Sequence, residues 1–208
     1  MKYDLHCHTQ YSACSLLSPA LFLKLITKKM DGIAVTDHNT LRGYNAIKRL
    51  NKNRDFEIIK GVEKTTNLGH VLAYYVNDIP KSNDFLEVAD SFKSQGAIVA
   101  TAHPFSYVGR HKFHFSRENI RKLDAIECRN ATMNEKQNQR AIEMADRHSL
   151  AKIAGSDSHF VSEVGMAYTV FEGELMDAIK KRKTAVGGKL KYYVFNHIAA
   201  SVLSFFRK

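Results

Sequence analysis

The strongest constraint on this chain is that its apolar runs keep ending in histidine, aspartate or glutamate. The first run, Tyr3-Asp4-Leu5-His6-Cys7-His8-Thr9, reads as a short strand entering a loop. Strand side chains alternate between faces, so the spacing predicts His6 and His8 on one face and Leu5 and Cys7 on the other. Two imidazoles converging at a strand end make half of a metal site. A lone His-x-His pair is a weak signal, but further apolar runs close at Thr36-Asp37-His38-Asn39, Gly61-Val62-Glu63, Ala102-His103-Pro104 and Gly155-Ser156-Asp157-Ser158-His159.

Between these closings the pattern alternates strand and helix. Ser18-Pro19 opens a helix as N-cap and first helical residue, with Leu21, Leu25 and Ile26 on its apolar face. Gly32-Ile33-Ala34-Val35 is a buried-type strand, and a helix runs from Asn39 or Thr40 to about Leu50. Strands are predicted at Phe56–Ile59, His70–Val76, Ala97–Ala100, Asp124–Cys128, Ala151–Ala154 and Ala167–Phe171. Further helices are predicted near Asn83–Ser94, Asn134–His148, Glu174–Lys181 and Leu190–Phe206. This alternation predicts a largely parallel sheet, and so many units in one domain suit a barrel better than an open sheet. Barrels carry function at the carboxyl ends of their strands, where these polar residues fall.

The candidate ligands are His6, His8, His38, Glu63, His70, His103, Asp157 and His159. Imidazole mixed with carboxylate suits Zn, Mn or Fe, whereas an all-oxygen set would suit Mg or Ca. So many ligands exceed the needs of one tetrahedral ion, so at least two metals are expected. A carboxylate such as Glu63 can bridge a pair, and a metal cluster can ionise water and neutralise a phosphoryl group in transit.

The 208 residues suit one domain, or a domain with a small appendage. We read 1–188 as the barrel and 189–208 as a C-terminal helix packed on the barrel or at a subunit contact. No apolar run reaches the length of about eighteen residues that a spanning helix needs, and the chain enters its first strand without a signal-peptide stretch. Cys7, Cys14 and Cys128 are too few for a disulfide framework and lack zinc-ribbon spacing, so a reducing cytoplasm is expected. A formal charge of +10 fits an anionic partner such as a nucleotide, nucleic acid or phosphate ester, or simply a solvated basic surface.

Asp-Leu-His-x-His-Thr, Thr-Asp-His-Asn, Gly-Val-Glu, His-Val-Leu, Ala-His-Pro and Gly-Ser-Asp-Ser-His occur in this order over nearly the whole chain. In this the chain resembles the PHP (polymerase and histidinol phosphatase) family, above all its short stand-alone metal-dependent phosphoesterases. The stretch Phe160–Gly165, and Ile126-Glu127 with Asn130, resemble that group too. The resemblance implies a distorted (β/α)7 TIM-like barrel holding two or three divalent metal ions. It implies one metal on His6, His8, Glu63 and Asp157, a second on Glu63, His70 and His103, and a third on His38, His159 and a residue of the first loop. Among these, His6, His8, Glu63, His103, Asp157 and His159 are implied to be catalytic.

The first loop departs from the family, which has aspartate, sometimes histidine, where Cys14 aligns. Cys14 either ligates the third metal as a thiolate or leaves that metal weak or absent. Arg129 and Arg110 are the best clamps for a substrate phosphate, since guanidinium grips phosphate in two prongs. Asp37 is expected to pin the loop and not to ligate. His111 and His114 read as loop histidines, His148 as a helix-end residue, His197 as part of the terminal helix, and Cys7 and Cys128 as core. The expected function is hydrolysis of small, nucleotide-like phosphomonoesters by a metal-bound hydroxide. Two alternatives stand: a 5′-to-3′ exonuclease on short oligonucleotides, and a non-catalytic RNA-binding subunit, against which the retained ligands argue. The oligomeric state is left open.

Overall fold

The computed structural model describes residues 1–106 and 113–190. Its strands are β1 (Lys2–Cys7), β2 (Gly32–Val35), β3 (Glu57–Thr66), β4 (Gly69–Tyr74), β5 (Ile98–Thr101), β6 (Ala125–Asn130), β7 (Ala151–Gly155), β8 (Ala167–Val170) and β9 (Ala185–Gly188). Its helices are α1 (Pro19–Ile26), α2 (Arg42–Leu50), α3 (Phe85–Ser94), α4 (Arg117–Ile120), α5 (Glu135–His148) and α6 (Leu175–Lys180). The strands form one nine-stranded sheet in the order β7-β6-β5-β4-β3-β2-β1-β8-β9. That sheet curls until the end of β7 meets β1: Asp157 N donates to His6 O (2.8 Å) and His8 N to Ser158 O (3.1 Å). The result is a nearly closed, distorted barrel of the expected kind.

The sheet is less parallel than the alternation predicts. Four pairings are parallel (β1–β2, β2–β3, β5–β6, β6–β7) and four antiparallel (β3–β4, β4–β5, β1–β8, β8–β9). Only Asn67 and Leu68 separate the paired residues Thr66 and Gly69, whereas a parallel crossover needs about a dozen residues. β4 therefore runs backwards as a hairpin partner of β3. This reversal brings His70, at the start of β4, to the barrel end where its neighbours finish.

The expected alternation in β1 also breaks. Tyr3 and Leu5 both pack in the barrel interior with Ala34, Leu72, Tyr74 and Ala100. Cys7 packs outside with Phe22, Ile33 and Val35. The pairing register slips between Asp4 and Cys7, and such an irregularity changes which face the following residues take. Leu5 and Cys7 consequently do not share a face, while His6 and His8 both turn toward the mouth. The close approach of β7 to this irregularity requires Gly155, because a Cβ there would lie 2.3 Å from His6 Cβ.

Helix ends follow local chemistry. Ser18 caps α1 by accepting from Leu21 N, with Pro19 at the first position. Asn134 and Gln137 form a capping box on α5. α2 starts at Arg42 without a side-chain cap, later than expected, because Asn39 has φ 53° and pairs its side chain with Thr65. Helices α1 and α2 cover β1–β3, α3 covers the hairpin and β5, α5 covers β6, and α6 packs against the interior cluster. The sequence pattern did not show β9, whose Ala185-Val186-Gly187-Gly188 run is held by pairing with β8. The helix expected from Leu190 to Phe206 lies outside the described residues, apart from Leu190 itself. Among the described residues no helix is long and apolar enough to cross a membrane.

Gly155→Ala should lower stability by about 1–3 kcal/mol, the cost of forcing a methyl into a packed contact. Chemical denaturation against the native chain measures it, and an unchanged midpoint would contradict the tight closure.

Candidate metal centre

Eight side chains from six strands or the loops after them meet at one end of the barrel. Glu63 lies at the centre and is fully buried. Its Oε1 is 2.7 Å from His70 Nδ1 and 3.0 Å from His103 Nε2. Its Oε2 is 3.3 Å from His6 Nε2, 3.1 Å from His8 Nε2 and 3.0 Å from His38 Nδ1. Asp157 Oδ1 stands 3.5 Å from His6 Nε2 and 3.3 Å from His8 Nε2. His159 stacks on His8 with ring centroids 4.4 Å apart. The donor atoms fall into four overlapping groups, each within 4.8 Å: His6–His8–Asp157, His6–Glu63–His103, His38–Glu63–His70 and His8–His38–His159.

The backbone is bent to achieve this. His103 has φ 28° and Asp157 φ 52°, a region that residues with a Cβ enter at a cost. The imidazoles are oriented by partners behind them. His6 Nδ1 lies 2.9 Å from Glu127 Oε1, and His8 Nδ1 lies 3.1 Å from Ser12 Oγ, which itself donates to Asp37 Oδ1. His159 Nδ1 lies 2.8 Å from the Asp157 carbonyl. A proton on each Nδ1 leaves the Nε2 lone pair free for a cation, the arrangement that fixes tautomer in metal sites.

Two devices hold the ligands' loops. Asp37 accepts from Thr9 N, Thr9 Oγ1 and Ser12 Oγ at 2.7 Å each, so it pins the first loop, as expected. Gly43 makes room for it, since a Cβ there would lie 1.8 Å from Asp37 Oδ2. On the other side Glu163 Oε2 accepts from His159 N and Phe160 N. Asn130 Nδ2 donates to both Glu127 Oε2 and Asp157 Oδ2.

The charges are strongly coupled. Burial would raise the Glu63 carboxyl, but His38, His70 and His6 hold it well below the usual carboxylate range. Burial likewise opposes ionisation of Asp157, and His6, His8 and His159 overcome it. Burial disfavours a charged His6, yet Asp157, Glu127 and Glu63 hold its imidazole well above its ordinary value. Burial and neighbouring His38 disfavour a charged His8, but hydrogen bonds to Asp157 and Glu63 push it up to about 9.

A divalent cation fits this donor set. Glu63 Oε2 is buried and takes part in no hydrogen bond among the described residues, although three ring nitrogens surround it. Unpaired buried carboxylate oxygen is costly, and a cation between it and those nitrogens removes the cost.

Other expected residues lie differently. Cys14 is buried beside His159, its side-chain hydrogen-bond partner, and near His8, but its sulfur joins none of the four groups. Burial would raise its thiol, and His159 and His8 bring it below its ordinary value. The Arg129 guanidinium turns to β9: Nε donates to Gly188 O at 3.2 Å, and another nitrogen lies 3.5 Å from Glu135. Arg110, His111 and His197 lie outside the described residues, and His114 is exposed on its loop. His148 ends α5, and Cys7 and Cys128 are core residues. The orienting role of Glu127 was not foreseen. Its signal was a carboxylate amid Ala125-Ile126 and Cys128, since a buried charge in an apolar strand must have partners.

Residues 4–108 match the PHP domain family and residues 135–184 the PHP-associated family. The chain is 34% identical over 178 residues to the uncharacterized protein MJ0417 of Methanocaldococcus jannaschii, covering 82% of this chain and 70% of that one. The chain belongs to the PHP domain family. A crystal structure of a two-domain protein of Bacteroides vulgatus, described as containing a predicted PHP-like metal-dependent phosphoesterase, superposes with a TM-score of 0.75 at 20% identity. That match covers 91% of this chain and 65% of the other, so the chain spans less than two thirds of that structure. A candidate metal-dependent phosphoesterase of Bifidobacterium adolescentis superposes with a TM-score of 0.64 at 19% identity, covering 78% and 88% of the two chains. At these identities the likeness is one of fold.

Glu127→Ala should weaken metal binding about 10–100-fold, the usual cost of losing a partner behind a ligand; metal titration followed by calorimetry reads this. The raised imidazoles make a second expectation. Below a pH of about 9 the metal-free protein holds a proton on His8, and an incoming cation must displace it. Metal affinity should therefore rise with pH from neutrality toward that value, with proton release visible as buffer-dependent heats. Equal heats in buffers of different ionisation enthalpy would contradict this protonation.

Proposed function

We propose that the chain is a metal-dependent phosphoesterase acting on small phosphomonoesters, nucleotide-like ones favoured. The observation that carries this is the convergence of His6, His8, His38, Glu63, His70, His103, Asp157 and His159 on one barrel mouth around an unbonded Glu63 oxygen. Family membership and the description of the Bacteroides vulgatus relative support the same reading.

His6, His8 and Asp157 would hold one ion, with Glu63 shared between it and the ion on His70 and His103. His38 and His159 would hold a third, with Cys14 at its edge. Mixed imidazole and carboxylate favours Zn, Mn or Fe. Such ions, when bound, supply Lewis acidity that ionises water and neutralises phosphoryl oxygens. The chain's own part is to keep the ligands oriented through Glu127, Ser12 and Asp37, and to present them at a mouth that substrate can enter. The three free cysteines fit a reducing compartment. An exonuclease on short oligonucleotides would use the same centre with a longer binding track, and the basic α2 face favours that second reading. A non-catalytic RNA-binding subunit would have no need of these eight groups.

Chelation should abolish phosphomonoester turnover, and Zn, Mn or Fe should restore it. Asp157→Asn should lower turnover by more than the roughly 10–100-fold typical of residues behind the ligands, with the fold intact by circular dichroism. Undiminished turnover in a demonstrably metal-free preparation would sink the reading.

A further inference from the structure

The α1–α2 face carries a cleft that the metal centre does not use. Its volume is about 310 Å³, and Gln10, Tyr11, Pro19, Ala46, Arg49 and Leu50 are among its walls. Tyr11 connects it to the centre. That residue lies on the loop that leaves His8, and Arg42 sits over its ring with the guanidinium carbon 4.8 Å from the centroid. Arg42 in turn opens the helix that follows His38.

The cleft's helix is cationic throughout. α2 carries Arg42, Lys48 and Arg49 and no acid, and Lys52 and Arg54 follow before Asp55. All five are exposed. None of them joins an ion pair among the described residues, whose lysine and arginine pairs involve Lys93, Lys122, Arg129, Lys152 and Lys181. A helix C-terminus favours cations for its own sake, which accounts for Lys48 and Arg49, but its N-terminus disfavours them. Arg42 stands at that disfavoured end, stacked on an aromatic ring. An aromatic wall with unpaired cations around it is how proteins take single-stranded nucleic acid, by stacking a base and neutralising its backbone. A mononucleotide brings one phosphate, which the metal centre would take. Cations beyond it attract a second phosphate.

We propose that this cleft binds the nucleotide adjoining the scissile phosphate of a short single-stranded oligonucleotide. Its base lies against Tyr11 and Leu50, and its phosphate meets Arg49 and Arg42. The proposal rests on the phosphoesterase reading and narrows the substrate to a chain with more than one phosphate.

The test is fluorescence anisotropy of a labelled short oligothymidylate with the full chain under chelation, so that binding is read without cleavage. Arg49→Glu should weaken binding about tenfold or more, and the salt dependence should fall by about 0.7 in log–log slope for each phosphate that is no longer neutralised. Tyr11→Ala should also weaken it. Turnover of p-nitrophenyl phosphate by the metal-loaded Arg49→Glu chain should equal that of the native chain, since this substrate does not reach the cleft. Unchanged affinity and salt slope in both variants would overturn the proposal, as would adenosine monophosphate competing as well as the unlabelled oligonucleotide. Binding that responds to both variants, in a native chain that hydrolyses no phosphate ester, would sustain the cleft and overturn the phosphoesterase reading instead.

Discussion

A single buried carboxylate organises this protein. Glu63 has no exposure to water, and isolated burial of its charge would cost several kcal/mol. What makes it tolerable is the ring of imidazoles, with His70 and His103 on one oxygen and His6, His8 and His38 around the other. These come from strands and loops far apart in sequence. The fold has to deliver them together, and each departure from a regular barrel serves that delivery.

The reversed strand is one such departure. In a fully parallel barrel the residue at the start of a strand faces the opposite end from the residues that finish its neighbours. Running β4 backwards from a tight turn puts His70 opposite Thr65, within reach of Glu63. The slip in β1 is another. It lets one short strand place Tyr3 and Leu5 in the apolar interior and His6 and His8 at the mouth. Closure against β7 then passes over Gly155, where no side chain is tolerated, and sets Asp157 beside both histidines.

The apolar interior and the polar mouth are thus one construction. Alanines at 34, 100, 125 and 151 keep the interior narrow, so the strand ends converge. A second layer of polar groups keeps the ligands from turning away: Glu127 behind His6, Ser12 behind His8, Asn130 behind Asp157, and Glu163 on the backbone of His159. Several of these partners are buried. Such networks stabilise when fully satisfied and cost stability when partly broken.

Much of this was legible in the chain. Histidine, aspartate and glutamate at the close of successive apolar runs implied a barrel mouth with its ligands, because strand ends are where a barrel exposes side chains to a common space. The capping residues Ser18-Pro19 and Asn134 marked helix starts directly, because a cap is a local hydrogen bond. What the chain did not reveal depends on contacts between distant segments. The direction of β4, the pairing of β9, the slip in β1, and the turn of Arg129 toward Gly188 and Glu135 are all set by which strand lies alongside. So is the position of Cys14, which sits beside His159 but outside the close groups of donors. Residue identity alone determined which atoms could bind a cation; only the packing of the sheet decided which of them meet, because pairing register and strand direction are properties of two segments and are written in neither one.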